Sequence, residues 1–182
     1  MNGKFEIIEE KVDLVTPNKI KVISSKLKTP GGKETIWGIF DSRDAVVVLA
    51  LDKENNVYLK REWRLNRKDY CWEVVSGWVE DDHPTDLQVE EAATRELQEE
   101  VGQKAGKLTK LLTIYPTNHF RGKWHLFLAE QLSSSQLARD EHEYLDVLKF
   151  PFLEAYDKVA KQQIPTAQNV IIFQLAKELL KI

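Results

Sequence analysis

The segment from Gly77 to Gly102, GWVEDDHPTDLQVEEAATRELQEEVG, restricts this chain more than any other stretch. It closes a strand, turns through a polar acidic loop, and then predicts a helix dense in carboxylates. Thr85 is suited to cap that helix, and Gln88 three residues later completes a capping-box pattern. Gly102 supplies the C-terminal stop, because glycine enters the left-handed conformation without a steric penalty. Between these ends, Glu96, Glu99 and Glu100 recur at i, i+3 and i+4, which puts three carboxylates on one flank within about a turn. Like charges so spaced cost roughly 0.2–0.5 kcal/mol per pair even in water, and more when partly buried. Arg95 is placed to reach Glu99 and Lys104 to reach Glu100, whereas Glu96 has only Ala92 and Ala93 behind it. A divalent cation that prefers oxygen would remove the repulsion. A solvated acidic face is the other reading that spacing alone leaves open.

The identity and order of the residues add to this. Arg95-Glu96-Leu97-Gln98-Glu99-Glu100-Val101-Gly102 resembles the core of the Nudix box, R-E-U-x-E-E-x-G, where U is a bulky aliphatic residue. Upstream, Glu73-Val74-Val75-Ser76-Gly77 is similar to the strand and turn that open the box in the family's ADP-ribose and nucleotide-sugar pyrophosphatases. The resemblance implies an α/β protein with the Nudix fold, an α/β/α sandwich around a mixed β-sheet. It also implies Mg²⁺-dependent hydrolysis, with Mn²⁺ as a substitute, of the diphosphate in ADP-ribose or a related nucleoside diphosphate sugar. The products would be a nucleoside monophosphate and a sugar phosphate. Glu96, Glu99 and Glu100 would hold the metal together with the Ser76 carbonyl, and Arg95 would orient the glutamates. Glu100 and Arg95 then count as catalytic together with Glu143, which matches the second glutamate of the family's acidic E-x-E loop and would act as general base. Arg64, in a stretch similar to the family's R-Q-Y-R, would grip phosphate; Trp37 would stack on the base, and Glu73 joins them as a substrate-binding residue.

The chain departs from the family pattern at identifiable places. The spacing from Gly77 to Arg95 is about four residues longer than usual, which reads as an insertion in the Glu80–Asp86 loop. The family's first box glutamate falls on Leu87, so Arg95 has one partner fewer, and the final aliphatic position is Gln103. Leu87 speaks for one alternative, a Nudix-like module that binds a nucleotide sugar without cleaving it; the other alternative is a pyrophosphatase for another diphosphate, such as a dinucleotide or coenzyme A.

Along the chain, Phe5–Val15, Ile20–Leu27 and Thr35–Phe40 alternate loosely, and turn signals at Thr16-Pro17-Asn18 and Thr29-Pro30-Gly31-Gly32 separate them. They predict an antiparallel meander over residues 1–42 ahead of a catalytic domain over 43–182, and the resemblance implies that the meander dimerises. Ala45–Leu51 (AVVVLAL) reads as a strand buried on both faces. Val57–Trp63, Trp72–Val75, Leu108–Tyr115, Lys123–Glu130 and Leu145–Pro151 read as further strands, and Leu132–Asp140 as a flexible connection. Leu153–Gln162 and Thr166–Leu180 read as amphipathic helices. The four histidines are scattered and suggest no Ser/His/Asp arrangement; His119 reads as solvated in a loop similar to the family's Y-P-S-P-G-F.

Bulk properties exclude more than they assign. At 182 residues and 42% hydrophobic content the chain can bury one good core. A formal net charge of −3 carries no nucleic-acid or membrane signature. The single cysteine, Cys71, excludes an internal disulfide and fits a reducing compartment, and with no signal-like start the expectation is a cytoplasmic homodimer acting on a small molecule.

Overall fold

The computed structural model of the chain describes residues 3–139, 143–161, 163–164 and 166–182. Asp140, Glu141 and His142 of the acidic stretch therefore lie outside the described residues, while Glu143 lies within them. The chain divides into two compact units.

One unit comprises the described residues up to Arg43 together with Tyr115–Lys123. Its strands β1 (Glu6–Val15), β2 (Lys21–Lys28) and β3 (Glu34–Asp41) form an antiparallel sheet in that order. Gly32 makes the β2–β3 turn at φ +82°, a conformation that a side chain would strain. The 115–123 segment is stitched to β3: Phe40 N–H donates to the His119 carbonyl at 2.8 Å and Arg121 N–H to the Phe40 carbonyl at 2.8 Å. His119 Nδ1 also lies 3.2 Å from the Gly38 carbonyl, so the exposed ring is tied to the strand while facing solvent, as expected.

The other unit carries the main core. Strands β4 (Ala45–Leu51), β5 (Asn56–Arg64), β6 (Asp69–Glu73), β7 (Val75–Trp78), β8 (Gln103–Ile114), β9 (Trp124–Ser134) and β10 (Leu145–Pro151) form one sheet. Its main path runs β10-β5-β4-β9-β8, with β6 paired to β5 and β7 to β4. The β4–β9 pair is parallel and the others antiparallel, so the sheet is mixed. Helix α1 (Asp86–Val101) covers one face; α2 (Phe152–Ala160) and α3 (Ala167–Leu180) cover the other. Strand β4 shows why its sequence carries no alternation: Val46, Val48 and Ala50 pack with α1, while Val47, Leu49 and Leu51 pack with α2 and α3. This is the expected α/β/α sandwich.

The element boundaries show where local reading fails. The expected Trp72–Val75 strand is two strands, because Val74 leaves the ladder: its N–H donates to Asn169 Oδ1 at 3.1 Å, and Asn169 Nδ2 donates to the Trp72 carbonyl at 3.1 Å. A fully buried asparagine on α3 thus satisfies the break. Strand β9 runs on to Ser134, through part of the expected flexible connection, because β8 begins at Gln103 and pairs with it to the end.

Candidate active site

Helix α1 is set by its ends and its apolar stripe. The capping box is formed: Thr85 Oγ1 accepts from Gln88 N–H at 3.3 Å, and Gln88 Oε1 accepts from Thr85 N–H at 2.9 Å. Gly102 ends the helix at φ +67°, its N–H donating to the Leu97 carbonyl. Val89, Ala92, Ala93, Leu97 and Val101 bury against the sheet. That rotation carries Glu96 and Glu100, one turn apart, inward with them, leaving Glu99 partly exposed on the flank.

Each carboxylate meets a cation of the chain itself. Glu100, fully buried, accepts from Ser76 N–H at 3.1 Å through Oε2 and contacts the Lys60 ammonium through Oε1. Glu96 Oε1 lies 2.8 Å from Arg95 Nη2, and Glu99 Oε2 accepts from Arg95 Nη1 at 2.7 Å. Arg95 also donates to the Trp78 carbonyl at 3.2 Å, which ties the helix to the end of β7. Glu96 is near enough to Glu143 for that charge to act on it. Burial pushes the Glu100 carboxyl up to about 7 against the pull of Lys60. Burial also raises Glu96, with Arg95 opposing and the charges of Glu99 and Glu143 adding to it. Burial works to lower the Lys60 value, but the charges of Glu100 and Glu62 outweigh it and keep the ammonium protonated.

Arg64 is an ion-paired residue here: Nε donates to Glu73 Oε2 at 3.0 Å and Nη1 to Glu62 Oε1 at 3.2 Å. Glu73 is nearly buried and serves as its anchor. Trp37 sits on β3 in the other unit, half exposed and tilted against Phe5 with ring centroids 5.3 Å apart. Leu87, at the first glutamate position of the box, is an exposed residue of the first helical turn; Arg95 makes its contacts to Glu96, Glu99 and Trp78 without it.

The sequence reading missed two features. Lys60, not Lys104, partners Glu100; Lys104 is exposed on β8. The one available signal was its place in β5, alternating with Glu62 and Arg64 on a single strand face. Secondly, the histidines are not all idle: His125 Nδ1 lies 3.1 Å from Thr113 Oγ1, and Nε2 lies 2.9 Å from Asp44 Oδ2. Asp44 in turn accepts Val79 N–H through its carbonyl at 2.9 Å, so this line braces the strand ends beside the box loop.

Among the described residues no three acidic or imidazole groups already stand in ligand array; Arg95 bridges Glu96 and Glu99, and Lys60 pairs with Glu100. The donors nonetheless suit a hard divalent ion: three carboxylates on one helix and the Ser76 carbonyl beside them, all oxygen. Gly77 makes the close approach possible, since a Cβ there would land on the Glu96 carboxylate. Gly77→Ala is therefore expected to displace Glu96, weakening divalent binding and turnover by about tenfold or more, as loss of a supporting contact does. Stability should fall by only about 1 kcal/mol, because the atoms that yield are the end of a side chain. Titration calorimetry and urea melts read the two effects separately.

Comparison with known proteins agrees with this geometry. The chain is 30% identical over 151 residues to an ADP-ribose pyrophosphatase of Bacillus subtilis, covering 81% of this chain and 80% of that one. It is 28% identical over 174 residues to the ADP compounds hydrolase NudE of Escherichia coli, covering 94% and 84%. A crystal structure of an ADP compounds hydrolase superposes with a TM-score of 0.86 at 26% identity, covering 98% of this chain and 95% of that one. The NUDIX domain matches residues 41–170, which span every element from β4 to the start of α3, and on that match and those relatives the chain belongs to the NUDIX family of hydrolases.

Proposed function

We propose that the protein hydrolyses the diphosphate bond of ADP-ribose or a related nucleoside diphosphate sugar in a Mg²⁺-dependent reaction, giving a nucleoside monophosphate and a sugar phosphate. The observation that carries this reading is the inward pair Glu96 and Glu100 beside the Ser76–Gly77 turn: hard oxygen donors gathered at one point of the sheet.

Glu96, Glu99, Glu100 and the Ser76 carbonyl are the groups assigned to Mg²⁺, with Mn²⁺ able to substitute. When bound, the metal supplies charge neutralisation at the diphosphate and a more acidic water. The chain's own residues do the remaining work. Arg95 holds Glu96 and Glu99 in a fixed relation and fastens the helix to β7. Glu143, whose charge reaches Glu96, is assigned the proton of the attacking water. Arg64 is assigned to phosphate; its forked donors, now spread over Glu62 and Glu73, leave it oriented by two carboxylates rather than free. Trp37 is assigned to the base on the resemblance, with an aromatic face half exposed on β3.

A homodimer belongs to the same proposal. Every residue of β1 is exposed, including Ile7, Ile8, Val12, Leu14 and Val15, and such an apolar edge strand invites pairing with a second chain. Sedimentation of the protein should give twice the chain mass.

The direct test is a substrate panel in Mg²⁺ with product analysis: ADP-ribose, nucleotide sugars, a dinucleotide and coenzyme A. Cleavage of ADP-ribose or a nucleotide sugar to a monophosphate, abolished by EDTA, is the expected result. Binding that persists in EDTA without cleavage would turn the reading to a non-catalytic module.

A further inference from the structure

The most deeply buried cation of the site lies outside the box. Lys60 points from β5 toward α1 with its side chain only 2% exposed. In the sheet it is paired with Glu73 on one side and Val147 on the other, so neighbouring strands hem in its stem on both sides. Its ammonium contacts Glu100 Oε1, lies 3.2 Å from Glu62 Oε2, and donates to the Ser76 carbonyl at 3.5 Å. Two of these three acceptors, Glu100 and the Ser76 carbonyl, are the groups assigned above to the metal.

We infer that Lys60 is a built-in counter-cation: it holds Glu100 and the Ser76 carbonyl in register when no metal is bound, and it lowers divalent affinity by competing for the same oxygens. The inference rests on the ligand assignment made under the proposed function. Both oxygens of Glu100 are engaged, one by Lys60 and the other by Ser76 N–H. A carboxylate has lone pairs to spare beyond these two bonds, so an arriving ion can be added, but only against a positive charge already in contact. Lys60 is buried, with Glu73 and Val147 as its neighbours in the sheet, so its ammonium rests against these oxygens rather than in water. The competition thus comes from a buried charge, unlike that from a surface lysine, which swings aside. A residue serving only to neutralise Glu100 predicts the reverse: removing it would disorder the glutamate and loosen the metal.

The experiment compares neutral substitutions, Lys60→Met and Lys60→Gln, with the charge-retaining Lys60→Arg. Mg²⁺ binding is read by titration calorimetry, and the thermal midpoint is read in EDTA and in Mg²⁺. The neutral variants are expected to bind Mg²⁺ at least tenfold more tightly than wild type. They should melt below wild type in EDTA, with the gap narrowing in Mg²⁺, while Lys60→Arg keeps wild-type affinity. If Lys60→Met fails to fold in EDTA, Lys60→Gln, which keeps a donor for Glu100, carries the titration. Neutral variants with equal or weaker Mg²⁺ affinity beside a wild type that binds would overturn the role of Lys60 alone. Absence of Mg²⁺ binding in wild type and all variants would overturn the ligand assignment and this inference together.

Discussion

With Glu100 in the proposed metal set, Glu100→Gln is expected to lower turnover by about a thousandfold while the chain still folds, the loss that follows removal of a preorganised charge acting on a transition state. Glutamine keeps the shape and can still accept from Ser76 N–H, the bond that ties α1 to β7. Lys60 keeps Glu62 at 3.2 Å and the Ser76 carbonyl, so it is not left as a lone buried charge. Stability then separates from activity through pH. Burial raises the Glu100 carboxyl to about 7 in the folded, metal-free protein, whereas an unfolded glutamate sits near 4.5. The folded state thus holds the proton more tightly; that preference favours folding at low pH and is lost as pH rises through this window, by about 3 kcal/mol. Glutamine has no such proton. In EDTA, the variant should therefore gain on wild type by about that amount between pH 4.5 and 7, read as the difference of urea midpoints. Unchanged turnover would remove Glu100 from the metal set; parallel stability curves would mean that its carboxyl is not strained by burial.

How far the sequence anticipated this site depends on whether each feature is local. Helix α1 was legible because all its determinants lie within it: Thr85 and Gln88 at one end, Gly102 at the other, and alanines and aliphatics marking the buried side. The sandwich was legible through the resemblance of the box to the Nudix family, while AVVVLAL without alternation suggested the strand covered on both faces that β4 is. What escaped was set by residues distant in sequence. The break between β6 and β7 is satisfied by Asn169, and no rule about Trp72–Val75 refers to α3. Lys60 looked like one charge in a charged strand end; only the approach of α1 makes it the partner of Glu100. The Asp44–His125–Thr113 line joins the start of β4 to β9 and β8, three segments far apart along the chain. Lys104 was the nearest cation to Glu100 in sequence, yet the turn at Gly102 sends it out along β8. Proximity along the chain was the wrong guide once the helix had ended.

Glu143→Gln should lower kcat by about a hundredfold or more and leave Mg²⁺ affinity within a few-fold of wild type, the pattern of a lost general base. The case rests on where the neighbouring chain is fixed. Arg139 donates from Nε to the Glu99 carbonyl at 3.1 Å, from Nη2 to the Glu100 carbonyl at 3.1 Å, and from Nη1 to the Leu145 carbonyl at 3.4 Å. One guanidinium thereby caps the free carbonyls at the end of α1 and binds the residue that opens β10. Glu143 lies in sequence between Arg139, which is bonded to the end of α1, and Leu145, whose carbonyl the same guanidinium holds. The Glu143 charge acts on Glu96 and raises that carboxyl along with burial. A metal ligand at this place would predict something else: its amide variant would bind Mg²⁺ much more weakly, and excess Mg²⁺ would recover turnover. A general base gives no such recovery, and its loss removes the acid limb of the kcat–pH profile. Restoration of kcat at high Mg²⁺ would move Glu143 into the ligand set, and an unchanged profile would leave the proton of the attacking water to another group.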